Sequence, residues 1–344
     1  MARSRRSQFW PRRIWKIFLG LALAVFAPCA ASEARERPDD PPGTPVRAVA
    51  STTASTITFG RFTSIQVNVN GAGANIVGDA ANEPSIAVDP TNHQRMVIGW
   101  RQFDTIASNF RQAGVGYTTN GGASWTAGKI QPGVFRSDPV LGVNSSGKFF
   151  YSSLQGNLTT QVFPSVDGGA TWGASTYSYG GDKQWIVVDR TGGPSNGFIH
   201  QYWSPAGNPD PSHCYNRSTD GGATYSLPST LAAFPLYWGT LDVASDGTLY
   251  VVGTEGSSHL VAKSINANNP NVTPTFTFSF VNLGGLLFSP DPPHSPNPDG
   301  LLGQLWIGVD RSNGPRAGWI YVLASVVTQN DPLDVMFARS TDGG

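Results

Sequence analysis

Cysteine is nearly absent: the 344 residues include only Cys29 and Cys214. Cys29 falls in an N-terminal segment with the marks of an export signal, so after cleavage a single thiol remains and no internal disulfide can brace the domain. Stability has to come from a packed core, and roughly 300 residues are enough to build one. Metal-ligand spacing is missing as well. The five histidines, His93, His200, His213, His259 and His294, fall in no zinc-like pattern, so neither a metal nor another cofactor is expected. Long apolar runs are missing: the segment Ile17 to Ala27 is too short and wrongly flanked for a membrane span. Beyond it, no stretch carries a convincing helical period.

Acidic residues are missing from the N-terminus, where Arg3, Arg5, Arg6, Arg12, Arg13 and Lys16 all precede the first acid, Glu33. A basic start, a short apolar run and the small residues Cys29, Ala30 and Ala31 predict a signal peptide over residues 1–31, with cleavage near Ala31 or Ala34. An uncleaved anchor is the rival reading. The pairs Arg5-Arg6 and Arg12-Arg13 lack the downstream pattern of the twin-arginine route, and Pro28 stands where a lipoprotein signal needs a small residue. Removing residues 1–31 leaves 17 basic against 23 acidic residues, a net charge of −6. Such a surface does not grip phosphate backbones, so nucleic acid is not an expected partner. The expected location is secreted, periplasmic or in the cell envelope. Residues 32–58, with DDPPGTP at Asp39 to Pro45 and no apolar period, read as a disordered linker. The four sequons beginning at Asn144, Asn157, Asn216 and Asn271 matter only in a host that glycosylates secreted proteins.

What the chain does have is a repeat. TTNGGASW (Thr118 to Trp125), SVDGGATW (Ser165 to Trp172), STDGGATY (Ser218 to Tyr225) and STDGG (Ser340 to Gly344) are copies of one box. The short polar side chains of Asn120, Asp167, Asp220 and Asp342 can accept backbone hydrogen bonds in a tight turn, and the paired glycines supply positive φ. Trp125, Trp172 and Tyr225 would plug between neighbouring sheets, which makes the boxes structural rather than catalytic. A degenerate copy, SINANN at Ser264 to Asn269, stands where another box belongs.

A second pattern precedes the boxes: an apolar alternation ending in Val88, Val143, Val188, Val243 or Val309, then a polar turn and a further alternating run. The steps of 55, 45, 55 and 66 residues fit four-stranded units with variable loops. In the first unit the strands are predicted near Pro84–Val88, Met96–Trp100 and Val115–Thr119, then, after the box, from about Ser124. Five units, the last cut short at Gly344, predict an all-β propeller over residues 59–344, incomplete at its C-terminus and closing at six four-stranded blades. The strand-like segment Ile57 to Val69 is expected to pair with the final blade. An open solenoid of hairpins is the architectural rival, which leaves edges needing caps.

The box sequences, and their place after the third strand, resemble those of sialidases and the wider BNR-repeat (Asp-box) propellers over about residues 80–344. If each box joins the third and fourth strands at one face, the first strands begin at the opposite face, which then holds the binding cavity. Glu83, Asp138, Asp182, Lys183 and Trp238 fall at those strand starts. Arg101, Asp104 and Arg111 fall in the first loop at that face, and Trp203, His213 and Glu255 in later ones. Carboxylates, arginines and aromatic rings around one mouth suit a glycan or glycoconjugate, because rings stack on sugar faces and charges fix polar groups.

One pairing is sharper. Glu83 begins one strand and Arg101 ends the next, so an antiparallel pair carries both to the same rim. The resemblance implies that Glu83 partners a tyrosine nucleophile and that Arg101 clamps a substrate carboxylate, since guanidinium matches carboxylate bidentately. It also implies a loop Asp as acid/base, the role that falls to Asp104. Arg111, Asp138, Asp182, Lys183, Trp203, Trp238 and Glu255 are the expected substrate-binding residues. The expected function is that of a secreted exo-α-sialidase-type glycoside hydrolase. Sialidases also carry an Arg-Ile-Pro-like motif early in the propeller, and here only Arg61 in FGRFTSI stands there. That difference favours the alternative, a non-catalytic propeller that binds glycans or an envelope protein, or serves as a docking platform.

Overall fold

The computed structural model describes residues 51–206, 208, 210–231, 235–287, 303–329 and 334–344. The expected signal peptide, residues 1–31, and the linker as far as residue 50 lie outside the described residues. Every described element is a β-strand. The first two, β1 (Thr56–Phe59) and β2 (Phe62–Ile65), form a hairpin and pair only with each other. This corrects two expectations. Regular structure begins at Thr56, inside the segment read as linker, and among the described residues Ile57 to Val69 does not join the last sheet, its two strands pairing with each other through the tight turn that links them.

The remaining strands fall into the tandem units that the sequence pattern predicts. The first sheet is a meander of β3 (Ala80–Val88), β4 (Met96–Phe103), β5 (Gln112–Thr118) and β6 (Thr126–Lys129). The second consists of β7 (Ser137–Val143), β8 (Phe149–Leu154), β9 (Thr160–Ser165) and β10 (Thr176–Tyr177). The third has three strands, β11 (Trp185–Val188), β12 (Ile199–Tyr202) and β13 (Tyr215–Ser218), with an isolated bridge from Tyr215 to Ser229 in place of a fourth. The fourth contains β14 (Leu241–Val243), β15 (Leu249–Glu255), β16 (Ser258–Ser264) and β17 (Thr277–Val281). In the fifth, β18 (Gly285–Leu286) and β19 (Trp306–Val309) both pair with β20 (Ile320–Thr328), whose other edge takes β21 (Asp334–Ser340). The first strand of the repeat ends at Val88, Val143, Val188, Val243 and Val309 in turn.

Four buried clusters hold successive sheets together. Ala87, Val97 and Val115 meet Leu141, Phe149 and Tyr151 between the first and second sheets. Val140, Phe150 and Val162 meet Ile186, Val188 and Ile199 between the second and third. Tyr202, Tyr215 and Trp203 meet Leu249, Val251 and Leu260 between the third and fourth, and Tyr250, Val252 and Val261 meet Ile307, Ile320 and Val322 between the fourth and fifth. Each middle sheet is therefore buried on both faces, as the alternation of β7 shows: Val140 points to one neighbour, Leu141 and Val143 to the other. Cys214 is a free, buried thiol within this packing. The architecture is all-β and propeller-like, built from antiparallel sheets stacked face to face.

The boxes form the turns after β5, β9, β13 and β21. In the second, Ser165 Oγ donates to Asp167 Oδ1 at 2.9 Å, the Thr171 amide donates to the same oxygen at 2.9 Å, and the Gly169 amide donates back to Ser165 Oγ at 2.9 Å. The third repeats this through Ser218, Asp220, Thr224 and Gly222, and the first through Thr118, Asn120, Ser124 and Gly122. The degenerate copy keeps part of it: Ser264 Oγ donates to Asn266 Oδ1, which also accepts the Thr275 amide, each at 2.9 Å. The paired glycines adopt φ of 80° and 92° in the second box, a region closed to most side chains. Trp172 packs edge-on against Tyr151 at 5.7 Å and Tyr225 is buried between the second and third sheets, so both aromatics act as plugs.

One stability prediction arises here. Burial would raise the Asp167 carboxyl, but the hydrogen bonds from Thr171 and Ser165 outweigh it and hold the pKa below its usual value. A depressed carboxyl stabilises the fold above its unfolded pKa of about 4 and ceases to do so as pH falls through the folded value. Asp167→Ala is expected to cost about 1–3 kcal/mol at neutral pH. Thermal melts should show that deficit shrinking at pH values near 3, whereas a deficit unchanged by acid would contradict the hydrogen-bond account.

Candidate functional site

The box turns and the turns after the first strand of each unit share one end of the stack. The register places Val88, Met96 and Thr118 side by side there, and the Gly121 amide bonds the Gln94 carbonyl at 3.0 Å. Glu83 and Arg101 stand at the other end of β3 and β4, as antiparallel pairing requires.

At this rim three units share a local distortion. The pairing of β3 with β4 slips between Asn82 and Ser85, and that of β7 with β8 slips between Ser137 and Val140, leaving Glu83-Pro84 and Asp138-Pro139 as matching bulges. Proline suits such a position because it has no amide hydrogen to lose from a ladder. Glu83, Asp138 and Trp238 adopt φ of 52°, 49° and 52°. A non-glycine residue held there costs about 1–3 kcal/mol and persists where its surroundings over-determine it. The bulges aim the Glu83 and Asp138 carboxylates at the rim instead of into the sheet-to-sheet packing.

The side chains form one charged network. Arg101 Nη2 lies 3.1 Å from Glu83 Oε1, Lys183 Nζ lies 3.1 Å from Glu83 Oε2, and Arg101 Nε donates to Asn82 Oδ1 at 2.8 Å. The Arg101 side chain is 7% exposed, Lys183 22% and Glu83 35%, so the carboxylate is the most accessible of the three. Asp138 is buried and accepts from Ser137 Oγ at 2.7 Å. Asp182 hydrogen-bonds Asp138. Its carboxyl is pushed up to about 7 by burial first, then by the charge of Asp138 and the hydrogen bond the two share, with Lys183 opposing. Near neutrality Asp182 therefore still keeps its proton in a sizeable fraction of molecules. Burial pulls the Lys183 ammonium down, but Asp138 and Glu83 more than compensate and raise it. Arg111 feels both aspartates and packs over the Phe135 ring at 5.7 Å.

Of the sequence-predicted residues, Glu83, Arg101, Arg111, Asp138, Asp182 and Lys183 are thus brought together. Trp238 stands at the equivalent strand start of the fourth unit, tilted against Tyr237 at 6.1 Å, and Glu255 lies close enough to contribute to the raised phenol of Tyr237, after burial and Cys214. Two expected members are elsewhere. Asp104 pairs with Lys129 Nζ on the outermost strand of its sheet at 2.5 Å and accepts from Gln112 at 3.0 Å, apart from the Glu83 network. Trp203 is 1% exposed in the core between the third and fourth sheets, so its ring offers no face to a ligand; its large apolar surface is worth more buried. His213 is held by Asp210 at 2.6 Å on an exposed loop, and Arg61 lies over Phe62 in the β1–β2 hairpin. Sequence reading missed Asn82 and Gln184, whose side chains bond Arg101 and the Asp138 carbonyl; both adjoin predicted residues, the only signal they carried. It missed Trp185 as well, two residues past Lys183 in an edge-to-face pair with Trp306 at 5.2 Å. Among the described residues, no group of three or more His, Cys, Asp or Glu side chains is placed to hold a metal.

No protein-family model matches the chain, and no curated protein does. Solved structures with a similar course include a protein of unknown function from Dyadobacter fermentans, 14% identical with a TM-score of 0.43, covering 78% of this chain and 98% of that one. A K499G variant of the NanB sialidase from Streptococcus pneumoniae is 13% identical with a TM-score of 0.42, over 69% of this chain and 36% of that one. A GH43_1 enzyme from Xanthomonas citri is 11% identical with a TM-score of 0.39, over 77% and 89%. Likenesses this distant name no family, so the reading of the site rests on the side chains that line its rim.

Proposed function

We propose that the chain is an exported glycoside hydrolase of sialidase-like type, with the Glu83, Arg101, Arg111, Asp138, Asp182 and Lys183 rim as its active site on a closed, six-bladed disc. The observation that carries this reading is the division of labour among the carboxyl groups. Glycoside cleavage needs one carboxyl that keeps its proton near neutrality and another that is charged, and environments that push the two apart identify the roles. Asp182, its carboxyl raised to about 7 by burial and by Asp138, suits the general acid that protonates the leaving oxygen. Glu83, ion-paired with Arg101 and Lys183 and the most accessible of that trio, suits the charged partner on the other side of the bond. Arg101, Arg111 and Lys183 supply positive charge for an acidic sugar.

The test is turnover of a fluorogenic sialoside by the secreted full-length protein. Turnover is expected, with a loss of at least tenfold in kcat/KM for Arg101→Ala, roughly the value of one charge-assisted contact. A protein that binds the glycoside without cleaving it would favour the second reading, a glycan-binding propeller. One observation supports that alternative: Arg101 directs Nε and Nη2 at Asn82 and Glu83 within its own sheet, so those nitrogens are not turned toward a ligand carboxylate.

A further inference from the structure

The opposite end of the stack carries a second charged feature. The turns that follow β7, β11, β14 and β19 surround a cavity of about 550 Å³ lined by Ser145, Arg190, Thr191, Ser245, Arg311 and Asn313. Its floor is apolar, made by Val187, Val188 and Val243 from the ends of those strands. Two guanidinium groups face this space with one carboxylate between them. Asp242 is committed to Arg311, whose Nη1 also donates to the Val243 carbonyl at 2.9 Å. Arg190 makes no hydrogen bond or ion pair among the described residues, although it lines both this cavity and the adjoining one of about 300 Å³ along the inner strands.

Burial, and then the charge of Arg311, lower the Arg190 pKa against the pull of Asp242, the pattern of a cation short of a partner. The nearby turn carboxylates are occupied within their own turns: Asp189 accepts from Thr191 and Ser195, Asp246 from the Thr248 amide, and Asp310 from the Ser312 amide. Ser145 accepts from Asn196 at 2.9 Å, so its own hydroxyl hydrogen remains to be given. Donors therefore outnumber acceptors around the cavity. Paired arginines with hydroxyl donors match a tetrahedral oxyanion, and the volume exceeds a bare ion and fits a ligand of monosaccharide size.

We propose that this cavity is a binding site for a phosphate or sulfate monoester of a sugar, with the oxyanion held by Arg190 and Arg311 and the sugar ring over Val187 and Val243. The site is separate from the charged rim, and its ligand is bound rather than transformed. Isothermal titration of the whole chain at fixed ionic strength, with glucose 6-phosphate, glucose 6-sulfate and glucose as probes, tests it. At least one ester is expected to bind and glucose not to, and the stronger of the two identifies which oxyanion the cavity prefers. Arg190→Gln should weaken that binding by about tenfold or more, the loss of a charge-assisted contact. Because Arg190 makes no hydrogen bond or ion pair among the described residues, this variant should melt at the wild-type temperature, which separates lost binding from lost structure. Silence from both esters up to about 10 mM, a weaker limit than any specific site needs, would overturn the proposal. So would equal affinity in wild type and Arg190→Gln, or binding of glucose as tight as that of the esters.

Discussion

Asp182→Asn is expected to lower kcat on the fluorogenic sialoside by about 10²–10⁴-fold, the range for loss of a positioned general acid. The amide keeps the size and most of the hydrogen bonding to Asp138 but has no proton to transfer. In the wild type the acid must be protonated to act, and its carboxyl titrates at about 7. Activity should therefore decline as pH rises through about 7, and the variant should lose that alkaline limb along with most of its rate. The substitution has a different effect on stability. A carboxyl that holds its proton more tightly folded than unfolded withdraws stability as pH climbs from its unfolded value, about 4, towards 7. Removing it should leave the protein at least as stable as wild type at pH 8. A variant that is inactive and also melts early at pH 8 would show Asp182 to be a structural group, and a rate profile flat across pH 7 would remove it as the acid.

Gly239→Ala is expected to destabilise the fold by about 3 kcal/mol or more, enough to prevent folding of a marginal domain. A Cβ built on Gly239 falls 1.6 Å from the Val252 carbonyl oxygen and 2.5 Å from its carbon, both backbone atoms that cannot rotate aside. The close approach exists because the next residue, Thr240, accepts the Val252 amide at 2.9 Å, drawing the two segments together directly behind Trp238. Gly308, within β19 of the fifth sheet, has nothing within 4 Å of the same added carbon. Gly308→Ala should change stability by about 0.5 kcal/mol or less. Urea denaturation of the two variants side by side checks the contrast; similar midpoints would mean that the β14 and β15 segments do not pack as described.

The repeat made most of the architecture readable. Strand ends at Val88, Val143, Val188, Val243 and Val309 follow from a period-two pattern closed by a polar turn, because the first strand of a middle sheet packs on two neighbours and must alternate between them, as β7 does. The boxes were readable for a local reason: their hydrogen bonds span about four residues, so the sequence window contains the whole structure, whereas the degraded copy keeps only the Ser264 to Asn266 bond locally and draws its second donor from Thr275, nine residues on. The pairing of Glu83 with Arg101 followed from a single hairpin. Errors arose where the partner was remote. Ile57 to Val69 has strand character, but its own turn captured it before any other sheet edge. Asp104 stands in the expected loop, yet Lys129, on the fourth strand of the same meander, pairs with it at the sheet's outer edge.

Composition and spacing alone were enough to fix the strand content, the tandem units and the end of the stack at which charge gathers, since each depends on contacts between residues close in the chain. The assembly in space had to settle which of those charges meet. Asp138 and Asp182 come from separate units 44 positions apart, and Lys183 reaches Glu83 across 100. Nothing in their local sequence specifies the raised Asp182 carboxyl, which exists only because packing the units side by side buries it next to Asp138.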